Sequence, residues 1–516
     1  MQKRTSGTVF YVSVGLVVAL VTTGAVAPER LSTVSGAALA WVNQTFGWFY
    51  MLATTLFVLA CFFLGLGPYK HIRLSKKGRG PDYSFFTWLG LLFAARMGVG
   101  LVFWGAAEPI LHYVDPPPGI EAETDEAARA ALTYSVFHWA LQPWGVYAIV
   151  GLALAYFKYR KGKPGLISHS LSPLLGERVE GPTGKVINIV ATGATAVGVA
   201  TTFGLSALQV SGGMSEIFPV PNTVVTQMVV IAVVTGLFVI SSLSGVDKGI
   251  RYLSMTNLGV AIVLLSAVLV LGPTSFLLES FTTSVGTYVS DYFDLSLSLA
   301  PYSDGAWHGE WTIFFWAWVI AWAPYVGMFI ARVSRGRTVQ EFVLGVLLVP
   351  AVLGALWFVV IGGTALDLQT RGIADIAGPT QESEELALFL TLQSLPGGLV
   401  LSLLGLLLIV IFFVTSADSA SYVLGVLSSR GSMVPSKLVR LVWGGLISAT
   451  AAVLLLSGGL EALRAVAIVA ALPFAVVILM MVVSLIKALR QDVAAERDEA
   501  VAEARPQGTE ARSSGG

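Results

Sequence analysis

Between Phe93 and Pro109 the chain reads FAARMGVGLVFWGAAEP, and this stretch limits the available folds more than any other. It lies in a segment apolar and long enough to cross a bilayer, yet Arg96, Gly98, Gly100 and the Glu108-Pro109 pair interrupt it. A helix that only anchors a protein gains nothing from such residues. Glycine costs a helix roughly 1 kcal/mol against alanine, and a charged side chain at bilayer depth costs at least ~2.5–3.5 kcal/mol. Irregular backbone at that depth is tolerated where it is buried in protein or lines a cavity. Transporters build substrate and ion sites from discontinuous helices of this kind, so the stretch is expected to be a transport site.

Composition places the rest of the chain in the same class. Of 516 residues, 55% are hydrophobic and 12% charged, against about 25% charged in soluble domains, which gives a polytopic membrane protein. A formal net charge of +0 offers no argument for a nucleic-acid or acidic partner. Cys61 is the lone cysteine, so no intrachain disulfide, CxxC motif or Cys/His zinc cluster can form. The histidines (His71, His112, His138, His169 and His308) are scattered without metal-ligand spacing. No GxGxxG follows a strand pattern and no GxxxxGK[ST] occurs, which argues against nucleotide hydrolysis as the power source. Lys3 and Arg4 precede an apolar run without a small-residue cleavage site, so a retained helix is expected in place of a signal peptide.

A bilayer core needs about 20 mostly apolar residues in helix. Twelve segments meet this, at 8–27, 45–66, 85–112, 131–158, 186–213, 223–246, 250–275, 311–333, 340–365, 397–426, 437–457 and 461–486. Loop charge supports the division. One set of alternate loops holds Lys70, Arg73, Lys76, Lys77 and Arg79, then Lys158, Arg160, Lys161, Lys163, Arg178 and Lys185, and later Lys248, Arg251, Arg332, Arg335, Arg337, Arg430, Lys437 and Arg440. The other set holds Arg30, Arg129, Arg371 and Arg464, and the stretch 277–310 has neither lysine nor arginine. Positive charge stays inside, so both termini are expected in the cytoplasm of a multi-pass inner-membrane protein. The expected organisation is two N-terminal spans and a loop (1–84), a ten-helix core (85–486) and a charged tail (487–516). The tail reads as a solvated helix or as a regulatory or membrane-surface segment.

With loops and tail assigned, Arg96 remains as a basic residue deep in a span, beside the acids Glu108 and Asp418. The third span is interrupted at Gly98 and Gly100, and the eighth at Ala323-Pro324 and Gly327, five spans later. Interrupted segments at corresponding positions of two halves point to the binding site of an inverted-repeat transporter.

Two kinds of side chain there carry chemistry. Trp139, Trp144 and Tyr147 lie in the fourth span and Trp318 and Trp322 in the eighth, each cluster beside a proline. Trp144 and Tyr147 share a helix face, as do Trp318 and Trp322. Single tryptophans commonly mark the membrane interface, but two clusters inside spans fit that role poorly. Facing aromatic planes with no partner acid suit a quaternary ammonium, which has no N–H to donate and gains on the order of 0.5–2 kcal/mol per ring. The run Phe412-Phe413-Val414-Thr415-Ser416-Ala417-Asp418-Ser419 puts hydroxyls at mid-membrane. Hydroxyls with unwound carbonyls make an oxygen site for a hard cation; equally, they serve helix–helix packing.

The motifs Met97-Gly98-Val99-Gly100 with Phe103-Trp104-Gly105-Ala106-Ala107-Glu108-Pro109, Trp318…Trp322-Ala323-Pro324-Tyr325-Val326-Gly327-Met328-Phe329-Ile330-Ala331-Arg332 and Thr415-Ser416-Ala417-Asp418-Ser419 resemble the betaine/carnitine/choline transporter (BCCT) family, in order and over nearly the whole chain. The resemblance implies an all-α membrane protein of twelve transmembrane helices, the last ten a five-plus-five inverted repeat of the leucine-transporter type. It further implies uptake of a trimethylammonium compatible solute, glycine betaine above all, by sodium symport, in a homotrimer. Carried over by motif, the aromatic box falls on Trp139, Trp144, Tyr147, Trp318 and Trp322, and the main-chain carboxylate site on Met97, Gly98 and Val99. One sodium site falls on Ala94, Met97, Phe412, Thr415 and Ser416, and a second on Thr195 and Tyr325.

Two departures stand out. Val319 replaces the second tryptophan of a pair the family often has, which leaves one box wall apolar and open. Arg96 replaces a glycine. Its guanidinium would stand in for sodium and make transport sodium-independent, pair with a substrate carboxylate, or snorkel away. Rival classes find less support. A membrane enzyme would need a nucleophile–base or metal constellation, and the chain shows no HExxH or cofactor fingerprint. A channel would prefer rings of like residues from repeated subunits.

Overall fold

The computed structural model describes residues 7–504 except 77, 97, 245–246 and 303–304, without the side chains of 93–96, 243–244, 247–251, 254 and 499–504. The chain is helical wherever apolar runs are long enough to close i→i−4 bonds, and among the described residues the extended pairing is one isolated bridge, Arg73–Thr338. In chain order the helices are α1 (Thr8–Val26), α2 (Pro28–Leu66), α3 (Phe85–Arg96), α4 (Val99–Val114), α5 (Asp125–Trp139), α6 (Leu141–Ala155), α7 (Ser172–Leu175), α8 (Pro182–Ile217), α9 (Val224–Ser244) and α10 (Asp247–Leu271). They continue as α11 (Thr274–Ser290), α12 (Tyr292–Leu297), α13 (Ala306–His308), α14 (Phe314–Val333), α15 (Val339–Thr370), α16 (Ala377–Glu382), α17 (Ala387–Gln393), α18 (Gly398–Ser428) and α19 (Lys437–Ala504).

Nine helical segments among the described residues are long and apolar enough to cross a bilayer, or ten if the bent pair α10–α11 counts as one span. Leu56, Phe63, Ile240, Leu407 and Val483 point outward from them, exposed where lipid tails would cover them. The protein is a multi-pass membrane protein. The count is below twelve for two physical reasons. The third expected span is two short helices, α3 and α4, parted at Gly98, whose backbone is extended (φ −160°, ψ 169°). The eleventh and twelfth run together in α19, where Gly458 and Gly459 leave the helical region and Gly459 takes a positive φ of 59° that favours glycine.

The segment 131–158 falls within one candidate span, Asp125–Arg160, and two other expectations are corrected. Within that span the helix is interrupted at Ala140 (φ −93°, ψ −113°), between α5 and α6. Pro143 has no N–H for the Trp139 carbonyl, and the Leu141 N–H turns instead to the Tyr288 hydroxyl at 3.3 Å. The eighth span, expected to be interrupted at Pro324, continues as α14 from Phe314 to Val333. Its proline removes one bond, to the Ile320 carbonyl, without ending the helix. The stretch 277–310, read as loop, carries α11 and α12, with a 109° bend between α10 and α11. The charged tail continues α19, and Arg160 donates to Asp492 at 2.6 Å and to Glu496 at 2.7 Å.

Small residues set how closely the site helices pack. A Cβ at Gly327 of α14 would lie 2.7 Å from Val150 Cγ1 and 3.0 Å from the Gly151 nitrogen of α6. One at Gly198 of α8 would lie 2.9 Å from the Ala321 Cβ of α14. These close approaches pack both α6 and α8 against α14.

Candidate functional site

The start of α4 is the floor of the site. After extended Gly98 the first intrahelical bond is Leu101 N–H to the Gly98 carbonyl at 3.1 Å, so the Val99 and Gly100 amides precede the helical ladder at its electropositive end. Over Gly100 stand two indoles. A Cβ at that position would overlap Trp318 Cη2 and come 3.1 Å from Trp139 Cη2. The two rings meet edge to face, centroids 6.1 Å apart at 86°.

Each indole is fixed on both sides. The Trp318 N–H donates to the Thr202 hydroxyl at 3.2 Å, and its ring lies parallel to Phe314 at 5.8 Å and 9°. The Trp322 N–H donates to the Gly198 carbonyl at 2.8 Å, and its ring meets Tyr325 edge-on at 4.8 Å. One turn of α8, Gly198 to Thr202, thus holds both tryptophans of α14. Trp139 stacks on Phe358 of α15 at 5.1 Å and 28°. Its N–H donates to Glu108 Oε2 at 2.6 Å. On α6, Trp144 is buried and pairs edge-on with half-buried Tyr147, centroids 5.5 Å apart. Val319, on the α14 turn between Trp318 and Trp322, is buried.

The expectation of aromatic planes without a partner acid is therefore corrected. Glu108 is fully buried, and its other oxygen, Oε1, is 2.7 Å from His138 Nδ1 and 3.4 Å from His112 Nε2. The His138 Nε2 meets the Thr312 hydroxyl at 2.9 Å. Histidines read as scattered are gathered here by the α4–α5 contact, and Glu108 and His112 stand four residues apart on one helix face. Phe358, Thr202, Gly198 and this cluster went unread in the sequence. Only the Glu108/His112 spacing offered a signal.

The expected ion ligands are less fully described. Met97 lies outside the described residues, as do the side chains of Ala94 and Arg96. Thr415 is buried and donates to the Ile411 carbonyl at 2.8 Å; Ser416 is half-buried beside it, and Phe412 offers its carbonyl to Thr415 at 3.3 Å. Thr195, fully buried on α8, donates to Ala191 at 2.8 Å one turn before Gly198. Asp418 is salt-bridged to Arg440 at 2.6 Å. Toward the start of α14, the Arg464 guanidinium sits 5.3–5.4 Å from the rings of Trp104, Trp311 and Phe314, and pairs with Glu384 at 3.2 Å. Arginine and aromatic rings there pack over Phe314, which itself stacks on Trp318.

A bundle of membrane-spanning helices with a broken helix at its centre, and indoles held by dedicated hydrogen bonds above the break, has the architecture of a membrane transporter. The sequence matches the model of the BCCT, betaine/carnitine/choline family transporters over residues 8–494, and the protein belongs to that family. It is a transporter, not an enzyme. It is 48% identical over 486 residues to the glycine betaine transporter OpuD of Bacillus subtilis, covering 94% of each chain. It is 44% identical to the ectoine/hydroxyectoine transporter of Virgibacillus pantothenticus, over 97% of this chain and all of that one. The betaine/ectoine transporter LcoP of Corynebacterium glutamicum is 39% identical, over 95% of this chain and 79% of its own.

Proposed function

We propose that the protein imports glycine betaine by sodium symport, as twelve spans whose last ten form a five-plus-five repeat, assembled as a homotrimer with both termini cytoplasmic. The cation would sit among Trp139, Trp144, Tyr147, Trp318 and Trp322. Its carboxylate would take the backbone amides at Met97, Gly98 and Val99, where the partial positive charge of a helix start favours an anion. Sodium would use Ala94, Met97, Phe412, Thr415 and Ser416, with a second ion at Thr195 and Tyr325. The observation that carries this reading is the meeting of Trp139 and Trp318 over Gly100 at the α3–α4 break. The names of the relatives support the substrate class.

The ion is tested through Arg96. Two unit charges 4 Å apart repel by about 4 kcal/mol at an effective dielectric of 20, a thousandfold loss of sodium affinity. Wild-type uptake of labelled betaine into proteoliposomes should follow a sodium gradient, with Arg96→Gly nearly silent. Sodium-independent wild-type uptake, with Arg96→Gly inactive or newly sodium-dependent, would overturn symport and make the guanidinium the standing cation. A loss in Arg96→Gly far larger for betaine than for choline would give Arg96 the carboxylate.

Ectoine is a second reading, favoured by Val319, a buried apolar residue smaller than a tryptophan on the α14 turn between Trp318 and Trp322. Val319→Trp should narrow the site and sharpen preference for glycine betaine over ectoine in competition uptake. An unchanged ranking would show that residue 319 faces the helix packing.

A further inference from the structure

We propose that Glu108 gives the aromatic box its preference for a cation, acting through Trp139; the inference rests on the betaine reading of that box. Glu108 is fully buried on α4, eight residues beyond Gly100. An indole N–H can only donate, so Oε2 is an acceptor, and 2.6 Å is short for a neutral N–H···O contact. The His138 tautomer that donates from Nδ1 to Oε1 leaves Nε2 to accept from Thr312. The carboxylate thus receives two N–H donors from α5. Through His138 and Thr312 it is also tied to the π-helical turn Gly309–Ile313 that leads into α14. Among the described residues its ion-pair partners are imidazoles, with no lysine or arginine.

Glu108, His112 and His138 together are a donor set of the kind that takes zinc. Both carboxylate oxygens are already engaged at hydrogen-bond length by His138 and Trp139, so these three form a hydrogen-bonded unit that fixes the indole, with buried His112 beside it making no hydrogen bond among the described residues. That indole stacks on Phe358 and stands perpendicular to Trp318 above Gly100. An ionised carboxylate on the N–H would push electron density into the ring, and its negative charge would stand behind Trp139. Both effects favour a quaternary ammonium and leave a neutral group of the same shape indifferent. Glu108 is a positioning residue that also sets specificity.

The test compares glycine betaine with 3,3-dimethylbutanoate, which replaces the quaternary nitrogen by carbon and keeps the carboxylate. Equilibrium competition against labelled betaine on purified protein gives the ratio of their dissociation constants. Glu108→Gln keeps the volume and an acceptor oxygen but removes the charge. It should weaken betaine by roughly tenfold, change the carbon analogue less than twofold, and so collapse the ratio. Glu108→Asp should restore most of it. Trp139→Phe, which severs the same bond from the other end, should lower the ratio as far, and the double variant no further. Equal weakening of both ligands would show a merely structural role and overturn the proposal. So would an unchanged ratio in Trp139→Phe, which decides the matter if Glu108→Gln does not fold. Wild-type protein that is folded and binds neither ligand would overturn the betaine reading as well.

Discussion

Gly100→Ala is expected to cut betaine uptake by a hundredfold or more while the protein still reaches the membrane. The added carbon would overlap Trp318 Cη2, and would lie 3.0 Å from Trp318 Cζ3 and 3.1 Å from Trp139 Cη2. Neither indole has room to retreat. Trp318 is pinned by Thr202 and Phe314, and Trp139 by Glu108 and Phe358. Overpacking of this kind costs typically ~1–3 kcal/mol, and displacing a positioning group by about 1 Å in a binding site can cost 10²-fold. Gly193→Ala on α8, with open space around the added carbon, is the matched control and should transport as the wild type does. The measurement is initial-rate uptake in proteoliposomes, normalised to folded protein by size exclusion. Uptake by Gly100→Ala within threefold of wild type would show that the two indoles do not wall the substrate path.

The helices were legible because a bilayer demands long apolar runs, and the break at Gly98 because nothing else in such a run excuses glycine beside a charge. Trp318 and Trp322 could be placed on one face from their spacing alone, and both do turn to α8. The residues that hold them there could not. Gly198 and Thr202 lie more than a hundred positions away, and a small residue followed by a hydroxyl on a membrane helix looks like ordinary packing. Pro143 is in plain view, yet whether it kinks or breaks a helix depends on what else satisfies the backbone beside it. Here the Leu141 N–H takes the Tyr288 hydroxyl, from α11, a helix rich in serine and threonine that reads as loop. Glu108 reads in the sequence only as a membrane-embedded acid. Its contacts join α4, α5 and the turn before α14, and only the His112 spacing lies within one of them. Arg96 is the converse case, a residue of clear interest in the sequence whose side chain lies outside the described residues.

Trp322→Leu should weaken betaine roughly two- to thirtyfold in apparent affinity. The indole faces Tyr325 edge-on at 4.8 Å and is held by its N–H on the Gly198 carbonyl at 2.8 Å. Leucine keeps apolar bulk but removes the ring, and with it on the order of 0.5–2 kcal/mol of attraction for a desolvated cation. It also releases Tyr325 from its ring partner, so the remaining aromatic wall loses its orientation. The carbonyl left behind is not orphaned, because the Thr202 hydroxyl already donates to Gly198 at 3.3 Å. The folding penalty should therefore fall below the 1–3 kcal/mol of an unsatisfied buried group, and the loss should be read in binding. Trp322→Phe separates the two contributions. It keeps an aromatic face and drops the N–H, so its affinity should fall between wild type and the leucine variant. Concentration dependence of initial uptake, with thermal unfolding in detergent as the stability control, measures both. Equal affinities in the phenylalanine and leucine variants would mean that the ring face at 322 is not read by the substrate, and the cation would then have to be held by Trp139, Trp144, Tyr147 and Trp318 alone.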